Sequence, residues 1–192
     1  MAKGKLIVIS APSGTGKSTI IAELMKDESL KLEFSISATT RKPRGNEQDG
    51  VEYYFLTVDD FRQRIERDEF AEYHEVYEGR YYGTLKSEIQ RITAKGHNVV
   101  LDLDVLGGID VKKLYGKKAL ALFIKPPSVE TLRQRLISRG TDSIEDINKR
   151  VDRAVYELSF ADRYDCCVVN DVLVEAVEQA HEIITNFIGV EK

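Results

Sequence analysis

Apolar positions along the chain follow two rhythms. Short runs rich in β-branched residues, KLIVIS (5–10), NVVLDLD (98–104), ALALFI (119–124) and CCVVN (166–170), are apolar at successive positions, the pattern of strands covered on both faces. Between them, KSTIIAELMK (17–26), VLGGIDVKKLY (105–115), SVETLRQRLISRG (128–140), SIEDINKRVDRAVYEL (143–158) and VLVEAVEQAHEIITNFI (172–188) place apolar residues at helical spacing. In the last, Leu173, Val177, Ala180, Ile184 and Phe187 form one stripe that predicts a core-facing seam. Ser128 and Ser143 stand where helix caps are expected. The alternation predicts an α/β fold with a parallel sheet flanked by helices.

Two stretches depart from this rhythm. FSISATTRKPRGNEQDGVEYYFL (34–56) and EFAEYHEVYEGRYYG (69–83) are aromatic and alternate in polarity, which predicts a small mixed or antiparallel β insertion over about 34–84. From 126 to about 158 the chain is helical and strongly charged, with arginines at 133, 135, 139, 150 and 153, and reads either as a solvated surface or as a mobile lid. The core would then comprise about 1–33, 96–125 and 159–192 of a single domain.

With 192 residues and 42% hydrophobic content, the chain can bury a core without metals or disulfides. A net charge of −4 and a pI near 5.5 argue against a general nucleic-acid or membrane binder, so an anionic ligand must meet local clusters of Arg and Lys. The first apolar run is too short for a signal peptide and no run approaches a membrane span, which predicts a cytoplasmic protein. Cys166 and Cys167 are adjacent in a strand-like run and are expected to be buried there rather than bridged or metal-bound. No heptad seam is legible, and the oligomeric state stays open.

The stretch SAPSGTGKST (10–19) carries the first candidate chemistry. A strand, a glycine-bearing turn and a helix start occur in the order that lets backbone N–H groups cradle phosphate oxygens. This makes Ala11, Pro12, Ser13, Gly14, Thr15, Gly16, Lys17 and Ser18 a candidate phosphate-binding loop for ATP. Lys17 would place a positive charge at the transferred phosphates, and the Ser18 hydroxyl would ligate Mg²⁺. Ala11 occupies the position where G-x-x-x-x-G-K-[ST] asks for glycine; if it has ordinary negative φ the methyl costs little, since Gly14 and Gly16 remain where the loop closes.

Such a loop leaves GTPases, motors and small-molecule kinases open. DVLG (104–107) matches a D-x-x-G switch, but no N-K-x-D guanine-reading motif accompanies it. Taken together, SAPSGTGKST, FSISATTRKPRGNEQDGVEYYF, EFAEYHEVYEGRYYG, LDLD and RGTDSIEDINKR resemble the guanylate kinase family over nearly the whole chain. The resemblance implies a P-loop core with an acceptor-binding insertion and a helical lid, and transfer of the γ-phosphoryl of ATP to GMP. It assigns the GMP phosphate to Arg41, Arg44, Tyr53 and Tyr82, the donor edge of guanine to Glu72 and Asp104, and O6 to Ser37 and Thr84. Asp102 is placed near Mg²⁺, directly or through water, or near the acceptor. Asp102 and Asp104 are expected on one side of the strand end, because side chains alternate.

Arg135, Arg139 and Arg150 fall in the family's lid region and would gather charge around the moving phosphoryl group, with Arg135 and Arg139 four apart on one helix face. Arg133 and Arg153 read instead as surface partners of Glu145, Asp146 and Asp152. Asn170 either touches the adenine or caps the next helix. After D-x-D the family has Gln, where this chain has Leu106, which is left out of the site. Two rivals remain: a non-catalytic phosphopeptide-binding module of the same fold, and a kinase for another monophosphate.

Overall fold

Strand β1 (Leu6–Ser10) is buried at every position, as its uninterrupted apolar run requires of a strand with cover on both sides. In the computed structural model, which describes residues 4–140 and 142–189, it is the centre of a five-stranded parallel sheet. Its neighbours are β7 (Asn98–Asp102) and β8 (Ala119–Lys125), with β2 (Leu32–Phe34) and β9 (Cys166–Val169) at the edges. Alternation sorts β1 between two cores. Ile7 and Ile9 pack with Ile20, Ile21 and Leu24 of α1 (Lys17–Leu24) and with Ala176, Ala180 and Ile184 of α7 (Leu173–Ile188). Leu6 and Val8 face Ile89 and Ile92 of α3 (Lys86–Ala94) and Val111 of α4 (Val105–Tyr115).

Two expectations are corrected at the sheet edge. β9 is an edge strand, so Cys166 and Cys167 are half-buried, not enclosed. On α7 the expected stripe packs on the core at Val177, Ala180, Ile184 and Phe187, joined by Ala176, and only Leu173, 38% exposed at the start of the helix, departs from it.

The insertion is a mixed four-stranded sheet in the order β4 (Tyr53–Phe55), β3 (Ser37–Thr39), β6 (Arg80–Leu85), β5 (Phe70–Tyr77). The β3–β4 pair is parallel and the other two pairs are antiparallel. Its small core centres on Phe61 of α2 (Val58–Glu66), stacked on Phe70 at 4.2 Å and on Tyr81 at 5.1 Å between ring centroids. The sequence reading assigned no element to α2 or α3. Both are nine-residue helices; in α2 Val58, Phe61 and Ile65 stand at i, i+3 and i+7 and pack in this small core, and the Thr57 hydroxyl caps the helix by accepting from Asp60 N, so both signals were present in the sequence.

The charged stretch forms α5 (Val129–Arg139) and α6 (Ile144–Leu158), capped as expected by Ser128 and Ser143 through the N–H groups of Thr131 and Asp146. The two helices share a core of Leu132, Leu136, Ile147, Val151 and Ala154. A methyl on Gly14 would sit 2.8 Å from Leu136 Cδ2 and 3.2 Å from Leu132 Cδ1, so this helix pair rests directly on the glycine turn after β1.

Gly108 answers a different demand. A methyl there would meet the Tyr164 hydroxyl and lie 2.7 Å from Ser10 Oγ. Those hydroxyls donate to Val105 O at 3.0 Å and Asp104 O at 3.2 Å, tying the start of α4 to β1. Gly108→Ala is therefore expected to destabilise the fold by about 1–3 kcal/mol through overpacking. Thermal unfolding should show Tm lowered by about 2–4 °C per kcal/mol; an unchanged Tm would mean that the helix start shifts freely.

Candidate functional site

The carboxyl ends of β1 and β7 open into two clefts, where an open α/β sheet places its ligands. The first, of about 340 Å³, is lined by Ala11, Pro12, Ser13, Gly14, Gly16, Lys17, Ser18 and Thr19, together with Asp102 and Arg139. The turn closes at Gly14 (φ 90°) and Gly16 (φ 95°), whereas Ala11 has no positive φ, so the methyl sits in the backbone conformation expected of it. Thr15 is turned inward: its hydroxyl donates to Pro12 O at 2.7 Å, and its carbonyl accepts from Asn170 Nδ2 at 2.7 Å. Asn170 thus braces the loop and does not cap α7, whose N-cap residue is Val172. An adjoining cleft of about 330 Å³ continues past Gly16 to Arg135, Asn170, Asp171 and Leu173.

Lys17 is ion-paired with Asp102 and also donates to Leu103 O at 3.4 Å. Asp102 ends β7, but Asp104 lies beyond the strand, contrary to the expectation that both sit on one strand face. It is the N-cap of α4, where its Oδ1 accepts from Gly107 N at 2.8 Å. Leu103 and Asp104 turn the chain into the helix, so strand alternation stops at Asp102.

The second cleft, of about 200 Å³, is lined by Ser37, Tyr53, Glu72, His74, Val76, Tyr82, Gly83, Asp102, Leu103 and Asp104. Five of the residues expected to meet GMP, namely Ser37, Tyr53, Glu72, Tyr82 and Asp104, therefore converge across three segments. Thr84 is fully buried behind the wall, and its hydroxyl donates to Glu72 Oε1 at 2.7 Å; it fixes the carboxylate instead of facing the cleft. Burial pushes the Glu72 carboxyl up to about 7, with the Thr84 hydrogen bond and the charge of His74 opposing the shift.

Arg41 lies over the Tyr53 ring at 4.9 Å and is gripped by Glu47 through two bonds of 2.6 and 2.9 Å. Glu47 also accepts from Arg44 N at 2.8 Å, and the Arg41 bond holds its carboxyl down at about 2. A carboxylate thus occupies the planar face of Arg41 that suits a phosphate. The Arg44 side chain is exposed at the mouth of this turn.

The lid arginines separate. Arg139 lines both clefts beside the glycine turn. Arg150 donates to Ser13 Oγ at 3.2 Å and to Asp142 at 3.2 Å, pinning α6 to the loop. Arg135 is turned away from Lys17, donating to Asn170 O at 2.8 Å and Asp171 O at 3.2 Å, so it borders the outer cleft. Arg133 bonds Asn148, and Arg153 pairs with Glu157, partners other than those expected for them. Leu106 does not line either cleft.

Glu47 and His74 were not singled out from the sequence. For His74 a signal existed: it stands two residues after Glu72 in a strand, which puts both on one face. Glu47 follows Arg41 by six residues in an irregular turn, a spacing that no periodicity marks.

The chain is similar to known proteins over nearly its whole length. A family model described as "Guanylate kinase" matches residues 3–187. A protein named guanylate kinase from Porphyromonas gingivalis is 58% identical over 185 residues, covering 96% of this chain and 98% of that protein. One of the same name from Bacteroides fragilis is 54% identical over 189 residues, with coverages of 98% and 92%. The crystal structure of guanylate kinase from Anaplasma phagocytophilum aligns with a TM-score of 0.74 at 26% identity, over 98% of this chain and 88% of that one.

Proposed function

The chain belongs to the guanylate kinase family, and from that premise we propose which of its residues carry each part of the reaction. The enzyme transfers the γ-phosphoryl group of ATP to GMP, giving ADP and GDP. The observation that carries the assignment of parts is that the two clefts share Asp102, with Lys17 bound to it, so the donor and acceptor phosphates meet there.

ATP lies along the glycine turn, its phosphates on the backbone N–H groups between Ser13 and Ser18 and its base toward Arg135, Asn170 and Leu173. The GMP phosphate takes Arg41 from Glu47 and is met by Arg44, Tyr53 and Tyr82. The base enters beside Ser37, Glu72 and Asp104. A phosphate monoester has its second pKa near 6, so the attacking oxygen is already deprotonated at neutral pH and no general base is needed. The chain's task is in-line placement and positive charge, which Lys17 and Arg139 supply from within the cleft and Arg150 from its edge.

The residues at the cleft suit Mg²⁺. Ser18 and Asp102 are hard oxygen donors, and among the described residues no cluster of three His, Cys, Asp or Glu forms a full cage, so phosphate oxygens and water would complete the set. When bound, the ion would neutralise charge on the phosphate oxygens. Lys17 would then leave Asp102 for the phosphates. Among the described residues no helix is long and apolar enough to cross a membrane, and we keep the cytoplasmic placement.

A coupled assay tests the reading: ADP and GDP should form together only when ATP and GMP are both present. Binding of GMP without turnover would instead identify the non-catalytic module.

A further inference from the structure

The acceptor cleft contains a group that the reaction as described does not use. His74 lies on β5 two residues after Glu72, and its Nε2 atom is buried without a hydrogen-bond partner. That atom is 3.9 Å from Glu72 Oε2 and 3.8 Å from Asp110 Oδ2 of α4, beyond hydrogen-bond reach of either. Glu72 Oε1 is taken by Thr84. Oε2 is therefore the oxygen that remains for a ligand, and it faces the imidazole on one side and the backbone of Gly107 on the other, where a methyl would approach to 3.0 Å.

The charge around this oxygen is one-sided. Glu72 from β5, Asp104 at the head of α4 and Asp102 at the end of β7 line the cavity, with Tyr53 from β4 and Tyr82 from β6, and Asp110 approaches from α4. Among the described residues lining the cavity, His74 alone can carry positive charge. Lys17 is committed to Asp102, and Arg153 of α6, within electrostatic reach of Asp104, is paired with Glu157.

We propose that His74 is a positioning residue for guanine recognition, its imidazole holding the Glu72 carboxylate ionised and aimed so that Oε2 accepts from the N1–H and 2-amino groups of GMP. The proposal rests on the reading that Glu72 meets the guanine donor edge. A protonated carboxyl would offer a hydroxyl to those donors, two donor groups face to face, and acceptor binding would weaken. The sign follows from the direction of the Glu72 shift. Burial raises this carboxyl to about 7, so affinity for GMP is present above that pH and falls as the pH drops through it. Removing the neighbouring positive charge raises the carboxyl further and moves the acid limb of kcat/KM for GMP to higher pH.

The experiment is the pH dependence of KM for GMP and for ATP in the wild-type enzyme, His74→Ala, His74→Lys and Glu72→Gln. For His74→Ala the acid limb should move up by about one pH unit, raising KM for GMP about tenfold below the limb and converging on wild type at alkaline pH. The loss should fall on KM for GMP rather than on kcat, with KM for ATP unmoved, and His74→Lys should return the limb toward wild type. A KM for GMP raised equally at every pH, or not raised at all, would overturn the proposal. If Glu72→Gln leaves KM for GMP unchanged, the reading of Glu72 itself fails, and that result is separate from the behaviour of the His74 variants.

Discussion

Adenosine monophosphate is expected to be phosphorylated with a kcat/KM about 10⁴-fold below that of GMP. Glu72 is only 8% exposed, and one of its oxygens is spent on Thr84, so the other can be satisfied only by what enters the cleft. Guanine brings two donors to that oxygen and to Asp104. Adenine brings a lone pair at N1 and a hydrogen on carbon at position 2, while its amino group replaces the O6 acceptor that Ser37 would meet. A 10⁴-fold loss corresponds to about 5.5 kcal/mol. Two lost charge-assisted hydrogen bonds of about 1.5–3 kcal/mol each account for a loss of that size. The comparison uses one coupled assay with both monophosphates at equal enzyme concentration. A ratio below about 10² would mean that the carboxylates do not face the base.

Lys17→Ala should lower kcat by about 10²–10³, the size of effect seen when one preorganised charge donor is removed from a transition state. The phosphates lose the cation that would leave Asp102 for them. The effect should therefore exceed any change in KM for ATP, because the backbone N–H cradle between Gly14 and Ser18 is untouched. Lys17→Arg should restore little, since the planar guanidinium is wider than the ammonium that fits between Asp102 and Leu103 O. Single-turnover kinetics at saturating ATP and GMP measure the chemical step; a kcat for Lys17→Ala within tenfold of wild type would remove the lysine from charge stabilisation.

Four of the five parallel strands were legible from their uninterrupted apolar runs, whereas β2, three half-exposed residues at the sheet edge, was not. The P-loop was legible because its chemistry is local: strand end, glycine turn and lysine are contiguous in sequence. Short elements with few apolar residues escaped. α2 sets Phe61 between two rings contributed by β5 and β6, with Val58 and Ile65 packed beside it, a stripe of only three apolar residues in nine. At the acceptor cleft the residue types were legible but not their division of labour. Thr84 and Ser37 are both hydroxyl residues in strands, yet Thr84 is cross-strand to Glu72 and is consumed by it, whereas Ser37 faces the cavity. Asp104 looked like a strand residue because LDLD alternates, but the backbone leaves the sheet after Asp102 so that α4 can begin. His74 and Glu47 depend on which groups face them in space, and the chain order does not encode that directly.

The contact of Gly14 with Leu132 and Leu136 joins the mineral end of the molecule to its oily one. The glycine turn stands on the main core through Ala11, Ile20 and Ile21 and is flanked by a small helical annex whose apolar residues are separate from those under the acceptor-binding sheet. A change in the turn at Gly14 therefore meets α5, the helix that ends in Arg139, whereas the small core under the acceptor-binding sheet shares no residue with it.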